Sequence, residues 1–122
     1  MRKELKKLKN RADKLWRTVG KEGKKCEICT SLNCYFKCSS LQPHHYVLKG
    51  HKSLCWDLRN RVWLCPSHHT LGDLSAHRSQ EWFRLWFKAA RPADYKYCDG
   101  LKNKLCLSID YEKIIAELER MI

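Results

Sequence analysis

Two short knuckles limit what this chain can fold into more than any other feature. Cys26 and Cys29 are separated by two residues, and Cys65 and His68 repeat that separation some forty positions later. Paired ligands at this spacing suit the four corners of one tetrahedral Zn²⁺, so the sequence predicts a structural zinc on Cys26, Cys29, Cys65 and His68. A chain of 122 residues makes a single domain with a modest apolar core, and a metal knot is physically useful at that size. All six histidines fall between the first knuckle and His77: His44, His45, His51, His68, His69 and His77. The remainder reads as support for this stretch, with 1–25 a basic helix and loop, 26–78 the knuckle core, and 79–122 C-terminal helices.

Twenty-five Lys and Arg stand against thirteen Asp and Glu, a formal charge of +12. A field of that sign attracts polyanions, and basic residues that flank a metal motif make nucleic acid the leading partner over a merely solvated basic surface. An anionic membrane surface ranks below both. No apolar run approaches the ~20 residues of a membrane-spanning helix. The Lys-rich start has no apolar segment of the secretory kind, which predicts a reducing, cytoplasmic setting where the cysteines serve zinc rather than disulfides.

In chain order, Leu5, Leu8, Ala12, Leu15 and Val19 recur at helical spacing over residues 3–19, with Lys6, Lys9 and Arg11 on other faces. This basic helix is expected to dock on the domain, with Trp16 helping, and to lay its cations along phosphates. Gly20 and Gly23 break it. Residues 30–41 read as a loop, and Cys34 and Cys38 there, with Cys98 and Cys106, read as buried thiols rather than a second zinc site, because neither pair has knuckle spacing. Residues 42–49 read as a strand and 61–65 as its antiparallel mate. Alternation then sends His44 and His45 to opposite faces. The connection from His51 to Asn60 is long for a hairpin and charged, and His51 reads as an exposed loop residue. After Pro66 a helix is expected over residues 67–76, weakened by Gly72. Ser79 should cap a helix over 81–90 whose aromatic face, Trp82, Phe83, Trp86 and Phe87, packs against the N-terminal helix. A turn or short helix interrupted by Gly100 should follow Pro92, and Ser108 or Asp110 should cap a last helix with an acidic outer face.

Strand, charged loop, strand and helix, with His44-His45, Asn60 and His69 in that order, resemble the HNH (ββα-metal) endonucleases. More narrowly, Cys26-x2-Cys29, His45, Trp56-Asp57-Leu58-Arg59-Asn60, Leu64-Cys65-x2-His68-His69, Gly72, Ser75-Ala76-His77 and the Trp82-Phe83…Trp86 helix resemble phage-type, NinG-like HNH recombination proteins, over residues 5–97. Two positions depart from that pattern: His44 stands where an acidic residue is usual, and His68 where many members have Cys. The resemblance implies an α+β fold, a zinc-stabilised ββα-metal core with a two-stranded antiparallel hairpin wrapped by several helices. It also implies a phosphodiester hydrolase acting on DNA in a phage or bacterial setting. In that reading His45 is the general base, and His44 and His69 ligate one divalent ion (Mg²⁺, Mn²⁺, Ni²⁺, Co²⁺ or Zn²⁺), with His77 or Asp73 completing the set. Asn60 ties the loop to the helix and keeps the base oriented. Lys49, Arg59 and Arg61, with Lys6, Lys9 and Arg11, hold phosphate.

The chemistry stands without the family. Phosphodiester hydrolysis needs an activated water, a cation against developing charge and positioned positive groups, and those residue types are present. A noncatalytic zinc-containing DNA-binding module is the alternative, and a protein-binding adaptor using the last helix is a third. A monomer is favoured over a coiled-coil dimer because the first apolar stripe covers only two heptads.

Overall fold

The computed structural model describes residues 2–34 and 40–122. Its elements are α1 (Lys3–Thr18), α2 (Glu27–Leu32), β1 (Gln42–His45), β2 (Arg61–Leu64), α3 (Gln80–Ala90), α4 (Pro92–Leu101) and α5 (Tyr111–Glu119). The fold is therefore mixed: one two-stranded antiparallel hairpin among helices. Among the described residues, no helix is long and apolar enough to cross a membrane.

The stripe on α1 buries Ala12, Leu15 and Trp16 against Tyr111 and Leu118 of α5, with Ile114 and Ile115 half-buried beside them. Asp110 starts α5 by accepting the Lys113 amide at 3.1 Å, a cap that typically contributes ~1 kcal/mol. Arg11 reaches Glu119 across the two helices at 3.6 Å. Past Val19, which bonds back to Leu15 at 2.8 Å, Gly20 takes φ +70°, a conformation that side chains disfavour and that turns the chain toward the first knuckle. There α2 forms across the knuckle and into residues 30–32, the start of the stretch that the sequence suggested as loop: the Cys26 sulfur accepts the Cys29 amide at 3.5 Å, and Asn33 ends the helix in the left-handed region.

The hairpin pairs Gln42 with Leu64, Pro43 with Trp63, His44 with Val62 and His45 with Arg61. It sends His44 and His45 to opposite faces, as alternation requires. The strand expected to run on to Lys49 stops at His45, because beyond Tyr46 the backbone groups are met by the Asn60 side chain rather than by a partner strand. The Asn60 carbonyl accepts the Tyr46 amide at 2.9 Å, and its side chain binds Val47 on both sides. A two-stranded sheet exposes its outer edges, and here that of β2 is covered by side chains. Glu27 accepts the Trp63 amide at 2.7 Å, and Arg91 donates to the Arg61 carbonyl at 2.7 Å while holding Glu27 at 3.1 Å.

The helix expected after Pro66 is a single wide turn, Ser67–Leu71, closed by the Gly72 amide donating to Ser67 O at 2.7 Å. A Cβ on Gly72 would lie 2.7 Å from that same carbonyl oxygen, so this turn needs glycine. The chain then doubles back, with Ala76 N bonding to His68 O at 2.8 Å and His77 N to His69 O at 3.1 Å. Helix α3 packs on the hairpin and first knuckle rather than on α1. Phe83 and Phe87 bury against Ile28, Val62 and Leu64, and Phe87 stacks on Tyr46 at 4.1 Å. Ser79 precedes α3 without a side-chain cap, its hydroxyl donating instead to the Asp73 carbonyl. Helix α4 runs through Gly100 uninterrupted.

Candidate functional site

The two knuckles meet in the core. Cys29 Sγ lies 3.7 Å from Cys65 Sγ, and His68 Nδ1 lies 3.8, 3.2 and 3.5 Å from the sulfurs of Cys26, Cys29 and Cys65. Bonds of ~2.3 Å to sulfur and ~2.0 Å to nitrogen make tetrahedral edges of about 3.7 Å between sulfurs and about 3.5 Å between sulfur and nitrogen. The observed separations fit a buried structural zinc. Burial keeps His68 neutral, the form that ligates, by lowering its pKa, and it pushes the Cys26 thiol up, a bias that a coordinated cation reverses. Cys34 and Cys98 pack in apolar surroundings, and Cys106 contacts the Ser108 carbonyl. Among the described residues no ligand group joins these three, and Cys38 lies outside those residues.

A second cluster sits on the other side of the wide turn. His44, His69 and His77 each offer a nitrogen within 4.8 Å of the other two, and His69 Nε2 and His77 Nε2 are 3.1 Å apart. Two imidazoles on one ion with bonds of ~2.1 Å would be separated by about 3.0 Å in an octahedron and about 3.4 Å in a tetrahedron, so the pair fits a shared cation. His44 comes from β1 and faces Phe83. Its burial, with the neighbouring imidazoles, lowers its pKa to about 3, leaving a lone pair available at any ordinary pH. His69 is fixed by Gln42, whose Oε1 accepts from Nδ1 at 2.6 Å and thereby leaves Nε2 to the cluster. Sequence reasoning passes over Gln42, although its place two residues before His44 on the same strand face is a usable signal. His77 joins because the doubled-back chain returns it to His69. Asp73 is instead exposed and paired with Arg78 at 3.6 Å.

His45 is held apart from these three. Its Nε2 donates to the Cys55 carbonyl at 2.8 Å, so the acceptor nitrogen is Nδ1. The Trp16 ring stacks on the imidazole at 3.8 Å and 11°, and Trp16 is itself fixed by donating to the Asp57 carbonyl at 3.0 Å. Burial lowers the His45 pKa, outweighing the opposite effect of the Cys55 carbonyl, and the Lys49 charge adds to the lowering. Helix α1 thus supplies a wall of the site, a role that its apolar stripe does not disclose.

Asn60 is fully buried. Its Oδ1 accepts the Val47 amide at 2.6 Å, and its Nδ2 donates to the carbonyls of Val47 at 2.9 Å and Leu54 at 3.2 Å. These bonds run within the loop rather than from loop to helix. They fix Leu54, whose neighbour Cys55 carries the carbonyl that orients His45, so Asn60 acts on the His45 imidazole through that carbonyl.

His44, His45, His69 and His77 line one cleft of about 590 Å³. Of the expected phosphate-holding cations, Lys9 and Lys49 line it; Arg17 and Lys52, which no motif singles out, do so as well. Asp13 offsets part of that charge by pairing with Lys9 at 2.9 Å while accepting from Trp56 at 2.8 Å. Lys6 is exposed on α1 outside the cleft lining, and Arg11 is engaged with Glu119. Arg59 lies over the Tyr97 ring at 3.9 Å. Arg61 is buried, donating to the Trp16 carbonyl at 2.7 Å. It is a structural tie between hairpin and α1, and desolvation lowers its pKa to about 10. His51 is exposed, with Nδ1 donating to the Lys102 carbonyl at 2.6 Å.

This placement makes a prediction about salt. If the cleft takes DNA, neutralising Arg17, Lys49 and Lys52 together to glutamine should flatten the dependence of DNA affinity on salt by roughly 0.9 in log–log slope for each phosphate that is no longer neutralised. The Lys6→Gln/Arg11→Gln double variant should leave the slope unchanged. Binding titrations across a salt series check both, and the reverse pattern would move the DNA from the cleft to the outer face of α1. Compared with family models, with curated proteins and with solved structures, the chain gives no match.

Proposed function

We propose that this protein is a metal-dependent DNA endonuclease of the HNH kind. One observation carries the reading: a cluster of three imidazoles able to hold a cation and a fourth, separately oriented imidazole line the same basic cleft. A divalent ion on His44, His69 and His77 would neutralise charge that develops on the phosphate and the leaving oxygen. The protein's own part is then to position and to move a proton. Lys9, Arg17, Lys49 and Lys52 draw the phosphate backbone into the cleft. His45 accepts a proton from the attacking water at Nδ1, while the Cys55 carbonyl and the Trp16 ring keep the imidazole in place. Asn60 holds the loop that carries that carbonyl. Conversion of supercoiled plasmid to nicked circles by the purified protein tests the activity. Tight DNA binding with no nicking at any divalent ion would favour the noncatalytic zinc module.

The ligand set also predicts which ion serves best. Three imidazoles and no carboxylate suit Mn²⁺, Co²⁺, Ni²⁺ or Zn²⁺ better than Mg²⁺, which prefers oxygen. Half-maximal nicking should therefore need less of a transition ion such as Mn²⁺ than of Mg²⁺, and His44→Asp should shift the preference toward Mg²⁺. Equal half-saturation by Mg²⁺ in the wild type would contradict the three-histidine site.

A further inference from the structure

One large, exposed apolar side chain lines the cleft without any part in the chemistry above. Leu48 borders the same cavity as the four histidines, yet 69% of it is exposed. Single exposed leucines are ordinary, but this one is held out by its surroundings. Val47, just before it, is buried, and the Asn60 side chain occupies both its amide and its carbonyl. The Leu48 carbonyl accepts the His51 amide at 2.9 Å, closing a turn, and His51 is anchored to Lys102. Leu54, on the returning side, is fully buried. The tip cannot fold back over Leu48 without breaking these bonds.

Cations line the same cleft as this apolar group: Lys49 and Lys52 from the same loop, and Lys9 and Arg17 from α1. The cations place a phosphate backbone against the loop, which brings base edges to whatever the loop tip presents. An aliphatic side chain at such a place can insert between base pairs and partly unstack them, which costs stacking free energy in intact duplex. Where stacking is already broken that cost has largely gone, so the insertion itself discriminates between substrates.

We propose that Leu48 is a wedge that enters the base stack beside the bound phosphate, and that the preferred substrate is duplex DNA already unstacked at one step by a bulge or mismatch. The proposal rests on the DNA reading of the cleft given above and not on hydrolysis. The test uses the His45→Ala protein with its divalent ion, whose slowed cleavage leaves the DNA intact over the time of a titration, and two end-labelled duplexes of one sequence, one perfect and one with a single bulged nucleotide. Anisotropy titrations should show the bulged duplex bound about tenfold more tightly, a difference within the range that one disturbed base pair makes. Adding Leu48→Ala should bring the two affinities within about twofold while leaving perfect-duplex affinity and its salt dependence unchanged. Leu48→Met, which keeps an apolar chain of similar length, should retain the preference. Equal binding of both duplexes, or a preference that survives Leu48→Ala, overturns the wedge and leaves the cleft as a DNA site. Failure to bind either duplex overturns the DNA reading along with it.

Discussion

Cys29→Ser should lose one equivalent of zinc and unfold. Its sulfur faces both Cys65 Sγ and His68 Nδ1 inside a core that also contains Ile28, Val62, Leu64 and Phe87. Serine in its place offers zinc a poor ligand there. Structural zinc binds with an apparent ~10–16 kcal/mol, much of which appears as folding energy. Domains as small as this have total stabilities of about 5–15 kcal/mol, so loss of the knot is enough to remove the fold. The knuckles also join α2, the end of β2 and the wide turn that carries His69, so the candidate catalytic cluster should fail with them. Zinc analysis and thermal melting check the result. Cys106→Ser, at a half-buried position outside the knot, should change neither, and a well-folded, zinc-free Cys29→Ser protein would contradict the assignment.

His69→Ala should abolish cleavage with every divalent ion, whereas His45→Ala should slow it by about 10²–10⁴-fold and leave metal affinity nearly intact. The two differ because His69 reaches His77 and shares its cluster with His44, while His45 is turned to Cys55 and Trp16. The pH profile follows from the same environment. A buried base whose pKa is lowered from 6.5 stays neutral, and so competent, at pH values where an exposed imidazole is already protonated. At saturating metal, activity should be present above that lowered pKa and lost as pH falls through it, placing the acidic limb below pH 6.5. A limb above that value would contradict the burial. If His45→Ala loses the metal and His44→Ala keeps it, the two roles are exchanged.

The parts of this site legible in the sequence are those fixed by short spacing. Cys26 and Cys29, and Cys65 and His68, are close along the chain, so local geometry nearly determines their grouping. Strand alternation likewise separates His44 from His45. What stays hidden depends on contacts between distant residues. His77 returns to His69 through two backbone bonds that the Gly72 turn permits, not along a helix face. Arg61 reads as a surface cation until the Trp16 carbonyl, 45 positions away, is found accepting from it. Trp16 reads as helix packing until His45 is seen stacked beneath it. Helix α2 leaves no trace in the pattern because six residues are too few to show a period, and its start depends on a sulfur cap. The choice of which lysines and arginines face the cleft is set by how α1 docks, which no spacing within α1 reveals.

A stepwise metal titration tests the central claim most directly. Protein carrying one equivalent of zinc, with exchangeable ions removed, should be folded, bind DNA and leave supercoiled plasmid intact. A second equivalent of Mn²⁺, Co²⁺ or Ni²⁺ should then start nicking, and His45→Ala should take up that second ion while nicking about 10²–10⁴-fold more slowly. A protein that holds a single metal, binds DNA and never nicks at any loading would contradict the account and leave a noncatalytic zinc module.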